Sequence, residues 1–544
     1  MVDILKVPDI MNPFNVPSLF TSAGDLSEDL SLDLLVNQAE LSGEKPLNNR
    51  LFCPAPVDHL ETITYRQDVF QELIDDNRLR ENVWSITRTL HKLKDQTDDL
   101  KSRDNSPSLL KRGLGLLRFY ISFVNTFPDL NSANSKALRD ISAYFRQIKD
   151  SAVFRETSDL VDKIASLEGV QFHVSLDQDG TPLSMSALEL VERKEKPQEP
   201  EQLQEPKNEE VPESIWRRII GRRKQQPKEE EQENIEHESL RDSYYDKLNN
   251  LGSIICEFME KQFNSVIREY AQQAGEITHL LEPLEFYAAF SSYFAQLKAK
   301  GFDICRPTLL PKEERRCTIR NARNPLVYCG KRLPVPNDIT STPDENMFVL
   351  TGPNNGGKTT YVKTVGLLQV LAQSGLFVPA TSAAISFVDG IYTHFVAPDD
   401  ITDGDGRYRN ELKRMKSIFE NASPYSLVIL DEPCGGTSYE EGERQSLALL
   451  NGFHKLGSRL YFTTHMHPVA TEVERGRFRA ARNLSVGCED TGERLIYTFR
   501  VVPGPSGRSY GEEIAREIGL RPVDIEDLVS QRAEKQGFSH LLRR

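Results

Sequence analysis

"TGPNNGGKTT", residues 351–360, lies between the apolar run Met347-Phe348-Val349-Leu350 and a stretch of helical periodicity. It fits Gly-x-x-x-x-Gly-Lys-Thr, with Gly352, Gly357, Lys358 and Thr359 at the fixed positions. A loop that turns tightly and brings several N–H groups against phosphate oxygens needs glycine, because a Cβ obstructs the approach. Lys358 is then expected to reach the β- and γ-phosphates, and the Thr359 hydroxyl to bind Mg²⁺. Pro353, Asn354, Asn355 and Gly356 complete the cradle, and Thr360 follows it into the helix. Val362, Val365, Leu368 and Leu371 recur at helical spacing, so a helix N-terminus turns its partial positive charge toward the anion. A plain glycine-rich turn between core elements is the alternative. The flanking strand and helix, in the right order, favour the phosphate loop.

Composition bounds the rest. A chain of 544 residues is long enough for several domains, each with its own core. Hydrophobic residues at 38% and charged ones at 27% describe a soluble protein. No apolar run approaches the ~20 residues of a membrane span, and "MVDILKVPDIMNPF" lacks a basic region followed by a hydrophobic one. A cytoplasmic location and no membrane partner are expected. The seven cysteines form no Cys-x-x-Cys pair, so reduced thiols and no zinc site are expected. A net charge of −14 argues against a chain that coats nucleic acid over its whole surface, and leaves room for a local basic patch.

Upstream of the loop the pattern is mainly helical. "ITYRQDVFQELIDDNRLRENVWSITRTLHKLK" spaces Val69, Leu73, Leu79 and Val83 among charges, and "VQFHVSLDQDGTPL" (170–183) switches to alternation around Asp-Gly, a hairpin signature. Residues 193–238 are rich in Glu, Pro and Gln and carry little that is apolar, so they are read as a disordered insertion. Inside it "WRRIIGRRK" (216–224) gathers Arg217, Arg218, Arg222, Arg223 and Lys224, either a phosphate-binding patch or a solvated cluster balanced by acidic flanks. Tyr244, Leu248, Leu251, Ile255 and Phe258 then form a helical seam, with the segment at about 132–167 as its expected antiparallel partner. An arm of two long helices, or an ordinary bundle, fits that spacing.

Downstream, "SLVILDEP" (426–433) is an apolar strand that presents Asp431 and Glu432 at its C-terminal end. Ligands gather at that edge of a parallel sheet. Asp431 is placed to hold Mg²⁺ together with Thr359, and Glu432 to take a proton from the attacking water. "CGGTSYEEGE" offers a capping box on Thr437/Glu440 or Ser438/Glu441 for a helix that Gly457 ends. "RLYFTTHMH" is a further strand, and it brings His465 to the same edge to contact a γ-phosphate.

The set "TGPNNGGKTT", "SLVILDEPCGGTS", "TTH", "GLFVPA" (375–380) and "GPSGRSYGEEIAREIGL" (504–520) resembles the ATPase domain of the MutS family, a branch of the ABC-type ATPases. "ARNP" (322–325), "VPNDI" (335–339) and "YRQDVF" (65–70) look like the family's entry into that domain and its helical lever. The resemblance implies an α/β P-loop (ABC-type) ATPase domain at 311–522, preceded by an all-α lever/clamp-like domain. The latter would comprise 58–192, the insertion 193–238 and returning helices 239–310, with an N-terminal extension 1–57 and a tail 523–544. It further implies ATP and Mg²⁺ as ligands, with Lys358, Glu432 and His465 as catalytic residues. A homodimer would sandwich each ATP between one subunit's loop and the other's signature segment, and the helical arms would grip DNA.

Three departures stand out. About sixty residues precede "YRQDVF", too few for mismatch-reading and connector domains, and Phe70-Gln71-Glu72 falls within a helical pattern, with Phe70 read as core and Glu72 as surface. The chain ends 25 residues after Gly519, too few for a nuclease domain. In "DGDGRYRNELKRM" (403–415), Gly406 and Arg407 stand where the family has a hydroxyl pair, so Gly406 offers a partner's γ-phosphate only its N–H. The competing expectation is a nucleotide-gated interaction scaffold that never touches DNA.

Overall fold

The computed structural model describes residues 7–10, 24–41, 59–102, 108–128, 130, 133–176, 182–192, 266–327, 332–395, 407–491, 494–506 and 511–537. The insertion with its five basic residues, the 244–258 seam and Gly406 lie outside these residues. The chain divides into two compact units.

The first unit takes in residues 85–131 and 140–281. Helices α1 (Gly24–Leu30), α2 (Leu32–Leu41) and α3 (Leu60–Asp75) precede it in the chain, and it draws on α4 (Asn77–Ser102), α5 (Ser108–Asn125), α6 (Lys136–Asp150) and α7 (Ala152–Ser166). Its aromatic core has Tyr120 edge-on to Tyr270 at 5.5 Å and to Phe154 at 6.3 Å, with Phe127 stacked on Phe145 at 3.9 Å. The segment read as one helix over about 132–167 is two. Ser151 interrupts it, and its hydroxyl accepts the Phe154 N–H at 3.2 Å, capping α7. The alternating stretch forms β1 (Leu167–Leu176) and β2 (Pro182–Glu192), an antiparallel pair running from Leu167↔Glu192 to Leu176↔Pro182.

The second unit takes in residues 9–84, 132–139 and 282–544. After α8 (Leu281–Ala299) come β3 (Thr308–Leu310), β4 (Cys317–Ala322), β5 (Asn337–Ser341), β6 (Met347–Thr351), α9 (Lys358–Gln373), β7 (Ser382–Ser386) and β8 (Ile391–His394). Then follow α10 (Arg407–Asn421), β9 (Leu427–Asp431), α11 (Tyr439–Leu456), β10 (Arg459–Thr463), α12 (His467–Glu474), β11 (Ala481–Asp490), β12 (Leu495–Pro503), α13 (Gly511–Ile518) and α14 (Pro522–Gln536). Six strands in the order β12-β11-β6-β10-β9-β8 form one sheet, parallel except for β12, and β3-β7-β4-β5 form a second. Strands β6, β9 and β10 are buried at every position, which is why "MFVL", "LVIL" and "LYF" read as continuous apolar runs and not as alternation.

Helix α9 is buried along most of its length and tethered just past its C-terminus. Its Val362, Val365, Leu368 and Leu371 are all buried, and just past its C-terminus the Arg66 guanidinium of α3 donates to the Ser374 carbonyl at 3.0 Å. Gly375 follows at φ +81°, and a Cβ there would stand 2.6 Å from Arg66 Cβ. Phe70 of α3 is fully buried against Phe286 and Tyr287. Glu72, read as surface, is partly exposed and also accepts the backbone N–H groups of Asn134 and Ser135, the latter at 2.9 Å. Its carboxylate thereby satisfies donors just ahead of α6, a role local periodicity does not encode.

Candidate functional site

Parallel register assembles the site. Thr463 pairs with Leu350 on one side and Asp431 on the other, so the C-terminal ends of β6, β9 and β10 share one edge, and Ser485 in the middle of β11 pairs with Thr351 beside it. From that edge leave the 352–357 loop, the Asp431-Glu432 pair and the turn carrying His465. Gly352 sits at φ +139°, and its added Cβ would meet the Val486 carbonyl of β11 at 3.1 Å. Gly357, at φ +99°, caps α9. Asn355 takes the left-handed conformation at φ 64°, which asparagine tolerates better than most side chains.

Lys358 is 5% exposed, a cation that must find acceptors. Its Nζ donates to Gly352 O at 3.0 Å and to Pro353 O and Asn354 Oδ1 at 3.3 Å, and Glu432 Oε1 lies 3.5 Å away. The Thr359 hydroxyl donates to Asp431 Oδ2 at 2.8 Å, and Thr463 Oγ1 donates to Asp431 Oδ1 at 2.6 Å. Burial raises the Asp431 carboxyl above its ordinary value, and the two hydroxyl bonds pull in the opposite direction. Glu432 stands at φ 48°, with its N–H given to Thr463 Oγ1 at 2.9 Å. A glutamate in that region is held there by its surroundings at a cost of order 1 kcal/mol or more. The side chain sits between Lys358 and His465, whose Nδ1 is 3.9 Å from Glu432 Oε2.

Next to the loop opens a cavity of about 1040 Å³. Its lining includes Asn354, Lys358, Asp431 and Glu432 together with Leu333, Val335 and Phe499. The volume and this mixture of charged and apolar groups suit a polyphosphate joined to a planar apolar group. The adjacent Thr359 and Asp431 oxygens are hard donors of the kind Mg²⁺ prefers, so the residues fit the expected cofactor.

Two contributors escape the sequence reading. Between the pairs Val486↔Val501 and Cys488↔Tyr497, β12 uses two more residues than β11, and this bulge carries Phe499 at φ 54° to the loop. A Cβ on Gly357 would meet the Phe499 ring at 3.3 Å. Asn337 pins the bulge, donating to Phe499 O at 3.0 Å and accepting the Val501 N–H at 2.8 Å. "VPNDI" contains Asn337 but does not signal its partner.

The segment after Glu432 also reaches α10. Ser438 caps α11, accepting from the Glu441 N–H, while the Glu441 carboxylate accepts from the Thr437 hydroxyl, and Gly457 closes that helix at φ 79°. Gly436 lies under the first turn of α10, where a Cβ would stand 3.2 Å from Tyr408 N.

Residues 348–535 match the family model of MutS domain V. Similar proteins include the DNA mismatch repair protein MutS of Lactobacillus delbrueckii subsp. bulgaricus, 31% identical over 51% of this chain and 32% of its own length. The DNA mismatch repair proteins MutS of Chlorobaculum tepidum (35% identical, 50% of this chain and 31% of the relative) and Methanosarcina mazei (36%, 42% and 25%) are further examples. The chain spans about a third of the length of the curated relatives it matches. The loop of 352–358, the Asp431-Glu432 strand end and His465 all lie inside the stretch that is similar to MutS domain V.

Proposed function

We propose that the chain is an ATP-dependent DNA-binding protein, an ABC-type ATPase that hydrolyses ATP to ADP and phosphate and whose nucleotide state switches its grip on DNA. The observation that carries this reading is the meeting, at one strand edge, of a buried lysine, a Thr–Asp oxygen pair and an acid beside a cavity of about 1040 Å³. In this reading Lys358 exchanges its loop carbonyls for β- and γ-phosphate oxygens, and the loop N–H groups from Gly352 to Thr360 cradle the rest. Bound Mg²⁺, held by Thr359 and Asp431, supplies charge neutralisation at the phosphates. Glu432 accepts the proton of the attacking water, and His465 orients on the γ-phosphate. Leu333, Pro334, Val335 and Phe499 receive the nucleoside.

The dimer is supported by the C-terminal helices. Helix α13 buries no residue and α14 buries Ala533 alone, while Ile518, Leu520, Val523, Ile525, Leu528 and Val529 are each at least 45% exposed. So much apolar surface in adjacent helices suits a second copy. Across such a dimer the signature segment, with the Gly406 N–H and the N-terminus of α10, would face the partner's γ-phosphate. The helical first unit, with Arg217, Arg218, Arg222, Arg223 and Lys224 as additional contacts, would hold the DNA backbone. No helix among the described residues is long and apolar enough to cross a membrane, which suits work on DNA in the cytoplasm.

ATP hydrolysis measured with duplex, mismatched, single-stranded and four-way-junction DNA tests the proposal, alongside electrophoretic binding with and without ATP. At least one DNA form should change the rate and be retarded. Hydrolysis indifferent to every form, with none retarded, would favour a nucleotide-gated protein scaffold.

A further inference from the structure

Nothing in the nucleotide site accounts for α1, yet it packs on the helix that the phosphate loop begins. Leu30, 1% exposed, fills the space that Gly366 of α9 leaves open: a Cβ on Gly366 would come within 2.8 Å of Leu30 Cδ2. Gly366 lies about two turns along α9 from Lys358. The preceding residue in α1, Asp29, is also buried, and its carboxylate accepts from the Arg414 guanidinium on α10. Arg414 lies about two turns from the start of that helix. Leu26, Leu32, Leu35, Val36 and Ala39 are buried as well, so α1 and α2 form a docked element and not a loose tail.

Two consecutive residues therefore join two helices with different phosphate duties. Leu30 holds the helix that starts at this subunit's own loop, and Asp29 holds the helix that starts at the signature segment. We propose that α1 is a brace that couples the two nucleotide sites of the dimer, with Asp29 as a positioning residue that acts through Arg414. The proposal rests on the composite-site reading above. Packed elements shift as units, so a displacement of α9 on phosphate binding carries Leu30, and with it Asp29 and the start of α10. The Asp29 carboxylate is buried while the Arg414 side chain is about a quarter exposed, so removing the guanidinium would leave a buried charge without its partner.

The test uses the full chain and a double-mutant cycle of Asp29→Asn, Arg414→Gln and both together. Two quantities are read: equilibrium affinity for a fluorescent ATP analogue, and ATPase rate per subunit against chain concentration, with light scattering reporting assembly. Asp29→Asn should leave nucleotide affinity within about twofold and lower the plateau rate about tenfold, inside the range of a coupling free energy. The double variant should be no slower than either single one, since both break the same link. If Asp29→Asn reduces the yield of folded protein, Arg414→Lys carries the same comparison and should give an intermediate plateau. A wild-type plateau in the variants, or nucleotide affinity falling in step with the rate, overturns the brace while the composite site stands. A wild-type rate independent of concentration down to a scattering-confirmed monomer removes the composite site and the brace with it.

Discussion

Lys358 and Glu432 stand 3.5 Å apart, and their substitutions should nevertheless behave differently. Lys358→Ala deletes a charge that the phosphates need, so tight ATP binding should vanish in an equilibrium titration. Glu432→Gln keeps the shape and loses the proton acceptor, so binding should survive while single-turnover hydrolysis falls by ~10²–10⁴-fold. Equal loss of ATP affinity in both variants would contradict the assigned roles. Asp431 carries a pH signature. Burial raises its carboxyl, so protons compete for its oxygens at higher pH than they would for an exposed aspartate. A raised folded value also means that its contribution to stability without ligand is complete below the unfolded value and is lost as pH rises through the folded one. Calorimetric titration of Mg²⁺-nucleotide from about pH 7 to about pH 4 should show affinity dropping before ordinary carboxylates titrate, and Asp431→Asn should remove that pH-dependent component. The residues of the loop are legible in the sequence because they are contiguous and each has a steric or chemical reason to be there. Phe499 is not, because its place depends on a bulge in β12 and on Asn337 in another strand.

At the scale of elements, sequence reveals what neighbouring residues decide. Helix α9 shows its apolar positions at helical spacing, and α11 shows both caps, although only structure chooses Ser438 over Thr437. The break at Ser151 is hidden because helical periodicity resumes at once on the far side, and Glu72 reads as surface because its partners lie more than sixty residues away. The joint between α3 and α9 supplies a direct check. Gly375→Ala forces a side chain into a left-handed backbone and within 2.6 Å of Arg66 Cβ. Strain and overpacking together should cost about 2–4 kcal/mol. Scanning calorimetry should show a melting temperature lower by several degrees, and an unchanged one would mean that this joint yields easily.

For the whole molecule, the sequence indicates two kinds of architecture, helical first and α/β second, because the hydrophobic period changes along the chain. The order of strands and the pairing of β12 against β11 are not legible there, since continuous apolar runs specify burial on both faces and not neighbours. DNA binding is a property at this scale. If the basic cluster 216–224 binds phosphates, neutralising Arg217, Arg218, Arg222, Arg223 and Lys224 should flatten the dependence of log K on log[salt] by up to ~0.9 for each DNA phosphate that the cluster had neutralised. An unchanged slope would assign DNA binding to the helical arms. The central claim, that nucleotide state governs the grip on DNA, is tested most directly with Glu432→Gln, which should hold ATP without consuming it. Its DNA affinity at equilibrium, measured without nucleotide, with ADP and with saturating ATP, should change by at least about fivefold on ATP binding. Identical DNA affinity in all three states, with ATP shown to be bound, would contradict nucleotide-gated DNA binding.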